Sequence, residues 1–201
     1  MSTLHTADEK FPEALLRSTV NFILTTQNED GSIPWFNNGK TDPWNHTEAA
    51  MGLSIGGEHR AAANAYEWLA KQQLDDGSWW AHYEKTTPIK GDRRETNFIA
   101  YVATGIWHHY LITGDQLFLE RFFPMVERAI NFVLGYQAPT GEIYWAINED
   151  GSPREDALIT ACSSIFKSLE CAIHIANTLE KDSFAWAFAR QRLKNTLHYH
   201  P

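Results

Sequence analysis

Three groups of polar residues recur at helical spacing and are candidates to line a binding site. They are Asn97, Tyr101, Thr104 and His108; Asp156, Thr160, Ser163 and Lys167; and Asn45, Glu48 and Gly52, with Trp44 and His46 at the start of the same segment. Within each of the first two groups, this spacing places the side chains on one face of an α-helix. A helix face that packs into a core should be apolar, so three polar faces predict a shared cavity. Cavities that combine aromatic walls with a few polar groups are typical small-molecule sites.

Three carboxylates are candidate proton donors or acceptors for such a cavity. Glu48 and Asp156 are expected in the first turns of two helices, and Glu95 in the first turn of a third. Trp80, Trp145 and Arg94 are further candidates for contacts with a substrate. The alternative is helix capping, because Glu95 stands three residues after Asp92 in a capping-box pattern. Both interpretations of Glu95 remain open at this point.

Charge and composition exclude several classes of function. The chain has 25 Asp and Glu residues against 17 Lys and Arg, a formal net charge of −8. A protein that binds nucleic acid or anionic lipid should instead cluster basic residues on one face. No apolar run is long enough to span a bilayer, and the first ten residues lack the pattern of a secretory signal. We therefore expect a cytoplasmic protein without a transmembrane segment, and the absence of Cys-x-x-Cys and His-Glu-x-x-His predicts no metal site.

A repeated motif organises the chain. One pattern occurs three times, starting at Phe22, Trp68 and Phe132. It consists of an aromatic residue, an aliphatic residue, any three residues, Gln, any three residues, Gly, any one residue and a large apolar residue. Repeats at such periods indicate an array of similar supersecondary units. Because each copy follows an amphipathic pattern and contains a turn-forming glycine, each is expected to end a helix. The repeated Gln and Trp residues are predicted to brace neighbouring helices.

The elements between these motifs complete an all-α prediction with no strand. Seven helices are expected, at residues 11–27, 43–55, 58–73, 93–112, 116–136, 153–180 and 183–199. Pro124 should kink or split the fifth. Short connections make successive helices antiparallel, so the chain is predicted to be a single domain over 1–201, an array of αα-hairpins. The second, fourth and sixth helices would form the inner layer and carry the three polar faces.

The motif resembles the Gln-Trp repeat of squalene and other terpenoid cyclases, whose α/α-toroid fold is shared by protein prenyltransferase β-subunits. The segments 42–48, 94–98 and 156–164 also resemble bacterial proteins labelled prenyltransferase. The resemblance implies about half of an α/α toroid, since a complete one has twelve helices. It also implies an isoprenoid substrate in an aromatic cavity, with Mg²⁺ as a cofactor if that substrate is a diphosphate. The Asp-x-Asp-Asp motif of the cyclases and the Asp-x-Cys zinc ligands of the prenyltransferases are both absent.

A second resemblance supports a different activity. The segment from His108 to Pro124 is similar to a hairpin found in six-hairpin glycosidases such as glucoamylases, which share the two-layered helical plan. It implies that aromatic residues stack on sugar rings while two of Glu48, Glu95 and Asp156 act as general acid and base. A non-catalytic binding or oligomerising module is the third alternative. Because half a toroid leaves apolar faces open, we expect either a homodimer or a missing C-terminal half.

Overall fold

The computed structural model describes residues 13–89 and 92–199 and confirms the all-α hairpin array. Over these residues it contains seven α-helices: α1 (Glu13–Thr26), α2 (Pro43–Ile55), α3 (His59–Gln72), α4 (Thr96–Thr113), α5 (Gln116–Leu134), α6 (Ile159–Thr178) and α7 (Phe184–Tyr199). Six strands of two residues each lie between them: β1 (Lys40–Thr41), β2 (Tyr83–Glu84), β3 (Thr87–Pro88), β4 (Arg94–Glu95), β5 (Ala146–Ile147) and β6 (Pro153–Arg154). The predicted start of the first helix, at residues 11 and 12, lies outside the described residues.

The helices form two layers, as predicted. The inner layer is α2, α4 and α6, with α4 in contact with both of the others, and α1, α3, α5 and α7 form the outer layer. The core between the layers is rich in aromatic side chains, and Tyr66, Trp68, Trp79 and Phe122 are almost completely buried. This arrangement is about half of an α/α toroid.

The repeated glutamines brace each outer helix to the next one, as the sequence predicts. Gln27, Gln73 and Gln137 follow α1, α3 and α5, and each donates from Nε2 to a carbonyl four residues later and to a carbonyl in the following outer helix. The glycine of each motif completes the brace. Gly77 has φ +92°, and a Cβ atom there would lie 2.5 Å from the carbonyl oxygen of Arg128 in α5. The motif therefore sets the distance between neighbouring outer helices, and its residues have a structural role.

Two predicted helix starts are wrong because short strands replace the first residues. The fourth helix was expected from residue 93 and the sixth from residue 153. Instead, β4 pairs with β5, and β5 pairs with β6, both antiparallel. These pairings satisfy the backbone groups of residues 94–95 and 153–154 in a three-stranded sheet. A second small sheet, β1-β2-β3, joins the start of α2 to the α3–α4 connection. The prediction of no strand is therefore also wrong.

The sequence predicts helix starts capped at Asp42 and Asp115 and capping boxes at 92–95 and 152–155. The two caps form, and the two boxes do not. Asp42 accepts from the backbone N–H of Asn45 at the start of α2, and Asp115 accepts from Phe118 at the start of α5. The Asp92–Glu95 capping box does not form, since Glu95 precedes α4 but makes no side-chain cap bond. The box at 152–155 does not form either, because that segment is in β6 and the loop that follows.

Pro124 does not split α5, which runs through it. A proline inside a helix removes one backbone hydrogen bond. The neighbouring Phe122, Phe123, Met125 and Val126 are all buried, and their packing offsets that loss.

Both terminal helices expose apolar side chains, as an open arc should. Phe22 of α1 is 60% exposed, and Phe184 and Phe188 of α7 are 78% and 62% exposed. The homodimer and the missing C-terminal half remain predictions.

Candidate functional site

The three inner helices are parallel, so their N-terminal ends meet at one end of the array. Trp44 near the start of α2 contacts Phe98 near the start of α4, whereas Ser54 near the end of α2 contacts His109 near the end of α4. The contacts between α4 and α6 advance in the same direction, from Thr104–Ser168 to Trp107–His174. The small sheets lie at this N-terminal end too, because β1 leads into α2 and β4 leads into α4.

An aromatic pair and a carboxylate meet between α2 and α4. Trp44 stacks on Tyr101, with 3.9 Å between ring centroids and 11° between planes. The Tyr101 hydroxyl donates to Oε1 of Glu48 across 3.4 Å. Burial and the nearby Glu48 carboxylate raise the pKa of Tyr101 to about 12, so the phenol keeps its proton at neutral pH. Glu48 itself is exposed, so a ligand can reach its carboxylate.

Glu95 is held in a charged cluster just before α4. Arg93 Nη2 lies 2.5 Å from Oε1 of Glu95, and Arg93 also lies 3.9 Å from Asp92. Asp92 Oδ2 lies 2.9 Å from Nδ1 of His82 on the α3–α4 connection. Burial raises the pKa of Glu95, and the positive charge of Arg93 opposes that rise. The Glu95 side chain is only 8% exposed, and its carboxylate holds the Arg93 guanidinium in place.

Trp145 joins this cluster through its ring. The guanidinium carbon of Arg93 lies 5.2 Å from the Trp145 ring centroid, and that of Arg154 lies 5.6 Å from it. The Trp145 backbone N–H donates to the carbonyl oxygen of Asp156. Asp156 is exposed in the loop before α6, not in the helix as predicted, so it does not continue the polar face of that helix. Its carboxylate is nevertheless at the same end as Glu48.

Arg94 and Trp80 lie next to each other and contact the outer layer. They do not contact the Trp44–Tyr101 pair. The Arg94 guanidinium is 2.6 Å from Asp76, and its carbon is 5.5 Å from the Trp80 ring and 5.6 Å from the Phe132 ring of α5. Arg94 also donates to the backbone carbonyl of Asn148. These contacts join two connections, α3–α4 and α5–α6, to the outer helix α5.

His46 is a core residue. Its Nδ1 accepts from the backbone N–H of Ile33 and its Nε2 lies 2.9 Å from the carbonyl oxygen of Ala65, so Nε2 carries the proton. Burial lowers the pKa of His46 to about 4, which keeps the ring neutral. The sequence pattern placed it at the mouth of the cavity, but both of its nitrogens bind backbone groups.

The remaining predicted residues lie along α4 and α6. Asn97 Oδ1 and His108 Nδ1 are buried and have no hydrogen-bond partner among the described residues. Burial also lowers the pKa of His108. Thr160 and Ser163 are exposed near the start of α6. The three polar faces thus exist in part, with Trp44, Glu48 and Tyr101 as the group in direct mutual contact.

Sequence reasoning missed Trp35, which lies beside Asn45 at this end. The Trp35 indole N–H and the Asn45 side-chain amide both donate to Oδ2 of Asp42. The sequence assigned Asp42 to helix capping alone and Trp35 to no site. A loop tryptophan carries no periodic signal, so the contact was not foreseeable from spacing.

This arrangement suits a neutral, hydroxyl-rich ligand better than a diphosphate. The half-buried rings of Trp44 and Tyr101 next to the exposed Glu48 carboxylate provide apolar faces and a hydrogen-bond acceptor. Arg93 and Arg94, the cations that a diphosphate would need, are both paired with carboxylates. Residues 13–89 and 92–199 contain no group of three or more His, Cys, Asp or Glu side chains placed to hold a metal ion.

Comparison with known proteins identifies sugar-active relatives. The chain is 41% identical over 185 residues to an MMP endo-(1,4)-3-O-methyl-alpha-D-mannosidase of Mycolicibacterium hassiacum, a match that covers 92% of this chain and 51% of the relative. The chain therefore spans about half the length of this relative. No protein-family profile matches the sequence.

Two solved structures share the fold. An unsaturated glucuronyl hydrolase specific for heparin superposes with a TM-score of 0.72 at 17% identity, over 97% of this chain and 57% of that one. A wild-type glycosidase superposes with a TM-score of 0.70 at 14% identity, over 92% and 56% respectively. At these identities the likeness establishes the α/α-toroid fold alone.

These comparisons correct the first resemblance. The terpenoid cyclase and prenyltransferase interpretation is wrong, because the similar sequence is a mannosidase and the similar folds are those of sugar-active enzymes. The expected transferase activity on an isoprenoid is wrong for the same reason. The Gln-Trp repeat misled because it reports how outer helices are braced, which is a property of the fold.

Among the described helices, none is long and apolar enough to cross a membrane.

Proposed function

We propose that this chain is half of a glycoside hydrolase toroid and acts on α-linked mannose oligosaccharides, including 3-O-methylated ones. The observation that carries the proposal is the Trp44–Tyr101 pair with the exposed Glu48 beside it, at the end where the inner helices begin. The similarity to the mannosidase supports the choice of sugar. The second resemblance in the sequence, to six-hairpin glycosidases, points to the same activity.

Hydrolysis of a glycosidic bond needs two carboxyl groups with different roles. One protonates the leaving oxygen as its bond to the anomeric carbon breaks, and the other either takes a proton from the attacking water or attacks the carbon itself. Glu48 and Asp156 are the predicted carboxylates that a substrate can reach, since both are exposed. We propose Glu48 as the acid or base of this half, held by the Tyr101 hydroxyl. Glu95 orients Arg93.

The test measures new reducing ends released from α-1,4-linked mannose oligosaccharides. Glu48→Gln keeps the shape of the side chain but removes its acid–base chemistry, so we expect a loss of at least about a hundredfold in rate, the lower end of what general acid–base catalysis contributes. Glu127→Gln is the matched control, because Glu127 is an exposed carboxylate on the outer helix α5. Oligosaccharides left intact by the wild-type chain would contradict the proposed activity. Equal rates for both variants would remove Glu48 from the mechanism.

A further inference from the structure

Trp35 is an exposed aromatic residue whose orientation is fixed by a hydrogen bond to a buried group. Its side chain belongs to the loop before α2 and is 45% exposed, and its indole N–H donates to the buried carboxylate of Asp42. Lys40 Nζ lies 4.2 Å from the ring centroid and covers one face. The His82 ring meets Trp35 edge-on, with 6.1 Å between centroids. Nearly half of the Trp35 side chain is therefore open to solvent, in an orientation that the bond to Asp42 fixes.

A small cavity borders this ring. Its volume is about 200 Å³, and its walls are mainly apolar, with Phe22, Ile23, Ile33, Pro34 and Ala49 beside Trp35. Thr26 also lines it, and its hydroxyl donates to the Phe22 carbonyl oxygen. Asn45 is the exposed amide at its edge. The Asn45 side-chain nitrogen donates to Asp42, so its Oδ1 atom is oriented and can accept a hydrogen bond from a ligand.

We propose that Trp35, Asn45 and this cavity form a sugar subsite that prefers an O-methylated pyranose. The inference rests on the proposed function and adds a specificity-determining residue to it. The apolar C–H face of a pyranose packs on the exposed part of the Trp35 ring, and a ring hydroxyl donates to Asn45 Oδ1. The methyl ether enters the apolar cavity. A free hydroxyl there would lose its hydrogen bonds to water, and of the wall residues only Thr26 and Asn45 carry a polar side chain to replace them, so its burial is less favourable.

Calorimetric titration of the chain with matched methylated and unmethylated mannose oligosaccharides tests the subsite. We expect the wild-type chain to bind the methylated oligosaccharide more tightly. Trp35→Ala should raise its Kd by about tenfold, equivalent to about 1.4 kcal/mol, and should largely abolish the preference. Phe188→Ala, which removes an exposed aromatic from the outer helix α7, is the control and should leave both Kd values unchanged. Trp35→Phe keeps an aromatic face and should retain part of the preference.

The possible results distinguish a failure of the proposed subsite from a failure of the proposed activity. If the wild-type chain binds and cleaves these oligosaccharides but Trp35→Ala binds both as wild type does, the subsite is wrong and the proposed function stands. Equal wild-type affinity for both oligosaccharides contradicts the methyl preference. If the wild-type chain binds neither oligosaccharide, both proposals fail together.

Discussion

The glutamine brace gives a stability prediction that the structure makes quantitative. Gln73 Nε2 donates to the carbonyl oxygens of Gly77 and Met125, each at 2.9 Å, and so connects the end of α3 to α5. Gln73→Met keeps the length of the side chain but removes these two donated bonds and the one that Oε1 accepts from Arg128 Nη2. A typical intramolecular hydrogen bond contributes about 0.5–1.5 kcal/mol, so the three together predict a loss of about 1.5–4.5 kcal/mol in the free energy of unfolding.

Thermal and urea denaturation measure this loss. For a chain of this size, 1 kcal/mol lowers Tm by about 2–4 °C, so a loss of 2 kcal/mol lowers it by about 4–8 °C. Gln72→Met is the matched control, because the neighbouring Gln72 side chain makes no hydrogen bond within the described part of the chain. If both variants melt at the same temperature, the brace does not stabilise the fold and the structural interpretation of the repeat is refuted.

Three further outcomes follow from single contacts. Gly77→Ala should lose more than about 2 kcal/mol in urea denaturation, because its positive φ and the Arg128 carbonyl oxygen 2.5 Å away both oppose a Cβ atom. Burial lowers the pKa of His46 to about 4, below about 6.5 in an unfolded chain, so the unfolded state binds more protons and stability should fall as pH decreases from about 6.5 to 4. His46→Asn should flatten that slope in denaturation curves taken across this range. Arg94→Ala should lower Tm through the lost contacts with Asp76 while leaving oligosaccharide Kd unchanged by calorimetry, and a changed Kd with an unchanged Tm would reverse its assignment.

The fold was predictable because its signals are local and repeated. Turn glycines, the Asp42 and Asp115 caps and the 3.6-residue apolar periodicity each act within a few residues, so they survive without knowledge of tertiary contacts. The starts of α4 and α6 were not predictable in this way. Arg94–Glu95 and Pro153–Arg154 both pair with Ala146–Ile147, and such pairing depends on residues distant in sequence.

The site was predictable only where it follows helix periodicity. Glu48 and Tyr101 were singled out because the inner faces of α2 and α4 should be apolar and are polar at these positions, and the structure brings these two side chains into contact. Trp35 and His82 were missed because loops place side chains by turns and tertiary packing, for which spacing gives no rule. Arg94 was predicted to contact a substrate, and the structure pairs its guanidinium with Asp76. A sequence does not distinguish a guanidinium that binds a ligand from one already paired with a carboxylate.

Hydrolysis in H₂¹⁸O tests the central claim most directly. The chain is incubated with a 3-O-methylated α-1,4-mannose oligosaccharide, and the products are analysed by mass spectrometry against the same oligosaccharide without protein. We predict shortened oligosaccharides that carry one ¹⁸O atom at the new reducing end, since water attacks the anomeric carbon. An oligosaccharide that keeps its full length and gains no ¹⁸O beyond the control would contradict a glycoside hydrolase.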